Sequence, residues 1–222
     1  MNVSVVILHY GHLHYTLKAL DGVPAGTEVV LVDNDGGLRM LRCDATVIRP
    51  ARNRGFAAGC NLGARAATGD VVVFLNNDAF GENGWLDALT LPFALDADVA
   101  VTGARLTYPD GTLQHAGVAV DFSRPAGSEA WNVVGEQPGG DADAVTGAAM
   151  AVRRSMFDQL GGFDEGYWNG YEDVDLCLNV RAHGGRVIYC PKARLTHLES
   201  ASGPERWRAV SANVARLRGK WS

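Results

Sequence analysis

The sequence predicts an α/β fold in which a mostly parallel central sheet carries helices on both faces. Three observations point there: apolar runs of strand length with no polar alternation at 3–8 and 71–75, helix-prone stretches between the strands, and polar residues that end the runs abruptly. An unalternating β-branched run fits a strand buried on both faces, and a strand, helix, strand, helix rhythm fits parallel pairing.

The elements follow in order. Residues 3–8 form the first strand, and a helix over about 12–20 follows Gly11. Residues 28–32 form the second strand, closed by the turn-forming run Asp33-Asn34-Asp35-Gly36-Gly37, and 46–48 form a third. The Ala-rich stretch 56–67 is helical until Thr68-Gly69 stops it, 71–75 is the most apolar strand, 85–95 is a helix and 99–102 a strand. Tyr108 to Thr112 is a turn, and 121–141, rich in Gly, Pro and isolated aromatics, reads as a long irregular loop. After the apolar segment 144–152 comes a helix over 153–160, ended by Gly161-Gly162. A helix over 172–183 places Val174, Cys177, Leu178 and Arg181 on one face, 187–190 is the last strand, and 204–221 is a basic amphipathic helix.

Length and composition narrow the function. A chain of 222 residues, 47% hydrophobic and 20% charged, can bury one full core, so a single domain over 1–222 is expected. Within it, 1–105 forms a compact α/β half, 106–203 a second half of different character, and 204–222 the terminal helix. A net charge of -5 gives no support to a nucleic-acid surface. No apolar stretch reaches the roughly 18 residues that span a bilayer, and 3–8 is too short for a signal peptide, so a cytoplasmic protein is expected. Cys43, Cys60, Cys177 and Cys190 form no CxxC pair and are expected to be reduced thiols.

Several residue groups could carry chemistry. Asp78 ends the run Leu75-Asn76-Asn77-Asp78, at the carboxyl edge where open α/β sheets place ligands, and a carboxylate there suits a hard divalent cation. Asp33 ends a strand expected to neighbour that one in parallel, so both would open into one crevice. It would accept from a ribose or base there, or cap its own turn. Asn53 to Gly63 begins a helix with small residues, which permit close approach either to a ligand or to the sheet. Arg52 and Arg54 would balance phosphate charge or lie on the surface. Glu172, Asp173 and Asp175 crowd the first turn of a helix after the aromatic loop 167–171, more than the helix dipole requires, and Asp173 is the candidate general base. His197 could add an imidazole to the Asp78 site, a pairing that suits Mn²⁺ better than Mg²⁺.

Taken in order, the segments 32–36 (Val-Asp-Asn-Asp-Gly), 53–61 (Asn-Arg-Gly-Phe-Ala-Ala-Gly-Cys-Asn), 75–78 (Leu-Asn-Asn-Asp), 161–165 (Gly-Gly-Phe-Asp-Glu), 171–178 (Tyr-Glu-Asp-Val-Asp-Leu-Cys-Leu) and His197 resemble a family 2 glycosyltransferase of the GT-A fold, in its rhamnosyltransferase-like branch. The resemblance runs from Val3 to Trp221. It implies that Asp33 contacts the donor nucleoside and that Asn53 lines the nucleotide pocket. It also implies that Asn76-Asn77-Asp78 stands for the DxD motif, with Asp78 holding a Mn²⁺ or Mg²⁺ ion that His197 completes, while Asp173 is the base and Glu172 positions base or acceptor. The implied activity is inverting transfer of a sugar from a dTDP- or UDP-sugar to a saccharide or lipid-linked acceptor in bacterial surface polysaccharide synthesis. Asn76 departs from the motif by removing one anionic ligand. The terminal cations Arg206, Arg208, Arg216, Arg218 and Lys220 would form a solvated face or touch an anionic membrane. The alternative is a non-catalytic nucleotide-sugar-binding domain of the same fold.

Overall fold

The computed structural model describes residues 1–38, 44–199 and 208–222. Its strands are β1 (Val3–His9), β2 (Glu28–Asp33), β3 (Thr46–Ile48), β4 (Val71–Asn76), β5 (Ala79–Gly81), β6 (Val99–Thr107), β7 (Leu113–His115), β8 (Val118–Val120), β9 (Ala130–Asn132), β10 (Gly140–Asp141), β11 (Ala149–Arg153) and β12 (Arg186–His197). The helices are α1 (Leu13–Asp21), α2 (Gly55–Ala66), α3 (Trp85–Leu95), α4 (Arg154–Leu160), α5 (Glu172–Ala182) and α6 (Val210–Trp221). The main sheet runs β10-β12-β6-β11-β4-β1-β2-β3, with β5 added to β12 and β7 to β6.

The strands β3, β2, β1 and β4 are parallel, while β11 is antiparallel to both of its neighbours, β4 and β6. β1 and β4 are buried along almost their whole length, and each is flanked by strands on both edges and helices on both faces. On one face Val6, Val32, Val72 and Phe74 pack with Ala57, Cys60 and Ala64 of α2, Phe157 of α4, Cys177 of α5 and Leu217 of α6. On the other, Val5, Ile7, Val71 and Val73 pack with Ala19 of α1 and Trp85, Leu89 and Phe93 of α3. The small residues of α2 serve this packing. A Cβ on Gly63 would collide with Val6, and one on Gly59 with Leu8. A larger residue at either position would overpack the helix–sheet seam.

The structure corrects five expectations. β2 and β4 are not neighbours, because β1 lies between them. The stretch 121–141 is not wholly irregular: it contributes β9, which pairs with β8, and β10, which pairs with β12. These pieces are two or three residues long, below the length at which hydrophobic period identifies a strand. β6 continues to Thr107, and β12 continues past Cys190 to His197, through an irregularity at 191–193 where Pro191 cannot donate to a ladder. On α5, Arg181 faces out to pair with Asp143, whereas Asp175 is buried beside Val174, Leu176, Cys177 and Val180, because α6 covers that side. α6 is described from Val210, and the earlier part of the expected helix, 204–207 with Arg206, lies outside the described residues, as does Cys43. Cys60, Cys177 and Cys190 are free and buried.

Candidate active site

A cleft of about 260 Å³ opens at the carboxyl ends of β1 and β4. It is lined among others by Asn34, Asn53, Asn76, Asn77, Asp78, Glu172, Asp173 and His197. Seven of the eight sequence-predicted site residues therefore meet in one place. The eighth, Asp33, does not line it. Its side chain points to the opposite face, buried, where Oδ2 accepts from the Leu38 N–H at 3.2 Å and lies 3.8 Å from Arg49 Nε. Side chains alternate along a strand, so its neighbour Asn34 faces the cleft instead. Asn34 Nδ2 donates to Asn53 Oδ1 (2.8 Å) and to the Gly55 carbonyl (3.2 Å), while its Oδ1 accepts from the Arg54 N–H (2.9 Å), which ties the end of β2 to the start of α2. Arg52 and Arg54 are exposed, and Arg54 lies 3.6 Å from Glu165.

Asp78 and His197 are brought together by strand pairing. β5 begins one residue after Asp78 and pairs with the end of β12, placing His197 opposite Ala79. His197 Nε2 lies 3.2 Å from Asp78 Oδ1, and both side chains are less than a tenth exposed. His197 Nδ1 donates to Gln114 Oε1 at 2.7 Å, and the same Gln114 amide donates to the His197 carbonyl at 3.2 Å. That outer bond orients the ring and leaves Nε2 as the nitrogen that faces Asp78, the arrangement found behind metal-ligating imidazoles. The Asn76 amide lies 3.3 Å from the same Nε2. Asn77 is committed to the frame: its amide donates to the Tyr10 carbonyl (3.2 Å) and to Thr16 Oγ1 (3.1 Å). Gln114 left no signal in the sequence because its three-residue strand β7 follows a turn.

The opposite wall is the start of α5. Asp173 Oδ2 accepts from the Gly147 N–H at 2.8 Å and Oδ1 from its own helix at the Val174 N–H, 2.9 Å, so two backbone donors orient this carboxylate. Buried Glu172 accepts from the Gly170 N–H at 2.7 Å and holds the aromatic loop. Among the described residues, the three non-glycine residues at positive φ are Asn169 (50°), Tyr171 (72°) and Glu199 (56°), all at or beside this cleft. Strain concentrated at one place is a mark of a functional site. Gly55 (φ +73°) is similarly placed, with Trp168 about 3.1 Å from where its Cβ would stand.

His115, also in the cleft wall, is a structural imidazole. Its Nδ1 donates to Asn132 Oδ1 (2.9 Å) and its Nε2 accepts from the N–H groups of Gly117 (3.3 Å) and Thr146 (3.4 Å), bracing the loop that carries Gly147. Burial pushes its pKa down to about 4, with the Asn132 bond opposing this and His197 adding to it. A proton on Nε2 would face two donors. The unfolded chain takes up a proton near pH 6.5 that the folded chain refuses until about 4, so this contribution to stability is fully present above 6.5 and declines as the pH falls through that window. The expected loss is a few kcal/mol at about 1.4 kcal/mol per pH unit. Urea midpoints at pH 7 and 4.5 should fall less in His115→Gln than in the wild type.

The sequence matches the family described as Glycosyltransferase like family 2 over residues 4–222. The chain belongs to this family. Among similar proteins, the uncharacterized protein y4gI of Sinorhizobium fredii is 30% identical over 99% of this chain and 27% of its own length. The O-antigen biosynthesis protein RfbC of Myxococcus xanthus is 38% identical over 64% of this chain and 12% of its own length. This family 2 chain thus spans about a quarter or less of those two relatives. The crystal structure of GalNAc-T7 with UDP, GalNAc and Mn²⁺ superposes with a TM-score of 0.73 at 20% identity, covering 97% of this chain and 48% of the other. The family 2 domain therefore has the GT-A fold. No helix among the described residues is long and apolar enough to cross a membrane.

Proposed function

We propose that the chain is an inverting, metal-dependent hexosyltransferase that moves a sugar from a dTDP- or UDP-sugar to a saccharide or lipid-linked acceptor in bacterial surface polysaccharide synthesis. The observation that carries this reading is the pairing of Asp173 with the Asp78 and His197 couple on the walls of one cleft. The O-antigen role of RfbC supports the polysaccharide context, and the UDP and Mn²⁺ in GalNAc-T7 support the donor class and a cation.

The donor set fits a divalent ion. A carboxylate oxygen and an imidazole lone pair 3.2 Å apart have the spacing of adjacent ligands on one centre with bonds of about 2.0–2.2 Å. Asp78 and His197 would hold Mn²⁺ in preference to Mg²⁺, because the imidazole is a softer ligand than oxygen. Bound there, the ion would neutralise charge on the donor diphosphate. Asn53 and Asn34 offer amides to the nucleoside end, Asn34 in the place first read for Asp33. Asn76 supplies a neutral contact, and Asn77 fixes the loop. Asp173 would take the proton of the acceptor hydroxyl as its oxygen attacks the anomeric carbon. The bond from that carbon to the diphosphate breaks, and the nucleotide departs with the electron pair. Glu172 would hold Gly170, and with it the acceptor-side loop.

The terminal helix bears on membrane contact. Arg216 pairs with Asp164, Lys220 with Asp175, and Arg218 lies 3.8 Å from Glu129 while donating to the Phe122 and Arg124 carbonyls. These three cations have partners within the fold, which supports the reading of a cytoplasmic enzyme with at most a peripheral contact to an anionic membrane surface.

The test is calorimetric binding of UDP and dTDP to the full chain with and without Mn²⁺. One nucleotide should bind tightly only with the ion, and Asp78→Asn should abolish the ion's effect. Metal-independent binding unchanged in Asp78→Asn would overturn the metal assignment.

A further inference from the structure

A second cluster lies outside the cleft, on the α1 side of the β1–β2 pair. His9 and Asp33 are register partners at the strand ends, both essentially inaccessible to solvent. His9 Nδ1 lies 2.6 Å from Thr16 Oγ1, but its Nε2 has no hydrogen-bond partner, and neither has Asp33 Oδ1. Asp35 Oδ1 stands 3.2 Å from that Nε2 without the alignment of a hydrogen bond. One ligand atom from each of the three residues falls within 4.8 Å of the others.

We propose that His9, Asp33 and Asp35 bind a divalent transition cation, separate from the ion at Asp78 and His197. Two buried polar atoms with no aligned hydrogen bond, one a potential nitrogen ligand and one a carboxylate oxygen, are costly unless a further group satisfies them. The remaining contacts hold the ligands in place. Asp35 accepts from the Gly37 N–H (3.0 Å) through Oδ1 and from the Gly11 N–H through Oδ2, and Asp33 keeps Leu38 and Arg49 on its other oxygen. A Cβ on Gly37 would collide with His9 Nε2, so glycine keeps that side clear. One imidazole with two carboxylates suits Zn²⁺ or Mn²⁺ over Mg²⁺ or Ca²⁺, and two carboxylates balance the ion's charge. The ion would fasten β1 to β2 and, through Thr16, which also accepts from Asn77, steady the loop before Asp78.

The test is Zn²⁺ titration by calorimetry into metal-stripped Asp78→Asn protein, whose other site is disabled. One equivalent should still bind, and both Asp35→Asn, at the most exposed of the three ligands, and His9→Gln should weaken it at least tenfold. Absence of saturable uptake, or affinity unchanged in Asp35→Asn, would refute the site. So would uptake lost on His12→Gln or His14→Gln, which would put the ion on exposed imidazoles of the neighbouring turn. Nucleotide binding to the wild type with Mn²⁺ depends on the Asp78 and His197 site alone, so loss of Zn²⁺ uptake at His9 and loss of nucleotide binding are independent outcomes.

Discussion

Asp173→Asn is expected to lower kcat by about 10²–10⁴-fold, the range over which a positioned general base acts. The substitution keeps the shape of the side chain and one acceptor for the backbone donors Gly147 and Val174, so folding should be little changed. Nucleotide affinity in the presence of Mn²⁺ should match the wild type, because the Asp78 and His197 couple is untouched. A fall in kcat with constant donor affinity separates proton transfer from binding. Full turnover in this variant would remove Asp173 from the mechanism.

The second large effect concerns Asp175, whose carboxylate is buried where α5 meets α6. It accepts from Trp221 Nε1 (2.7 Å), Lys220 Nζ (2.8 Å), Asn179 Nδ2 (3.1 Å) and Tyr167 OH (3.3 Å). Asp175→Ala strands four donors at once. Breaking a buried pair costs about 3–5 kcal/mol, and partial exposure of Lys220 argues for the lower part of that range. The loss should reach the cleft. α6 also carries buried Asn213, which accepts from the Trp168 N–H and donates to the Trp168 and Gly170 carbonyls, fixing the loop that leads into Glu172 and Asp173. Urea unfolding should show the destabilisation, and kcat should fall even where the variant is folded. A change below about 1 kcal/mol, the scale of a surface pair, would mean that α6 is held by other contacts.

The strands that bury both faces could be read directly, because nothing but an interior strand explains 71–75. The same logic singled out Asp78 and Asp173, which line the cleft, since a carboxylate after such a strand and a carboxylate cluster at a helix start are local patterns. What was not legible depends on partners distant in sequence. Gln114 matters only because β7 lies beside β12, and Asn213 only because α6 closes over the 168–170 loop. Asp33 shows a finer limit. The end of β2 does reach the cleft, yet whether Asp33 or Asn34 faces it is decided by which face of β2 meets α2, a one-residue difference in phase that composition does not carry.

The irregularity in β12 has the same kind of consequence for His197. Before it, Ile188 and Cys190 lie on the α3 side of the sheet and Val187 on the other; after it, Leu195 lies on the α3 side. Opposite the consecutive residues Ala104 and Arg105 of β6 stand Cys190 and Arg194, so 191–193 are surplus and even positions exchange roles with odd ones. His197 inherits the odd phase. An uninterrupted strand of the same sequence would turn its imidazole away from Asp78, so the length of the 191–193 insert sets whether His197 meets Asp78, and a single-residue deletion there would part the two side chains without altering either.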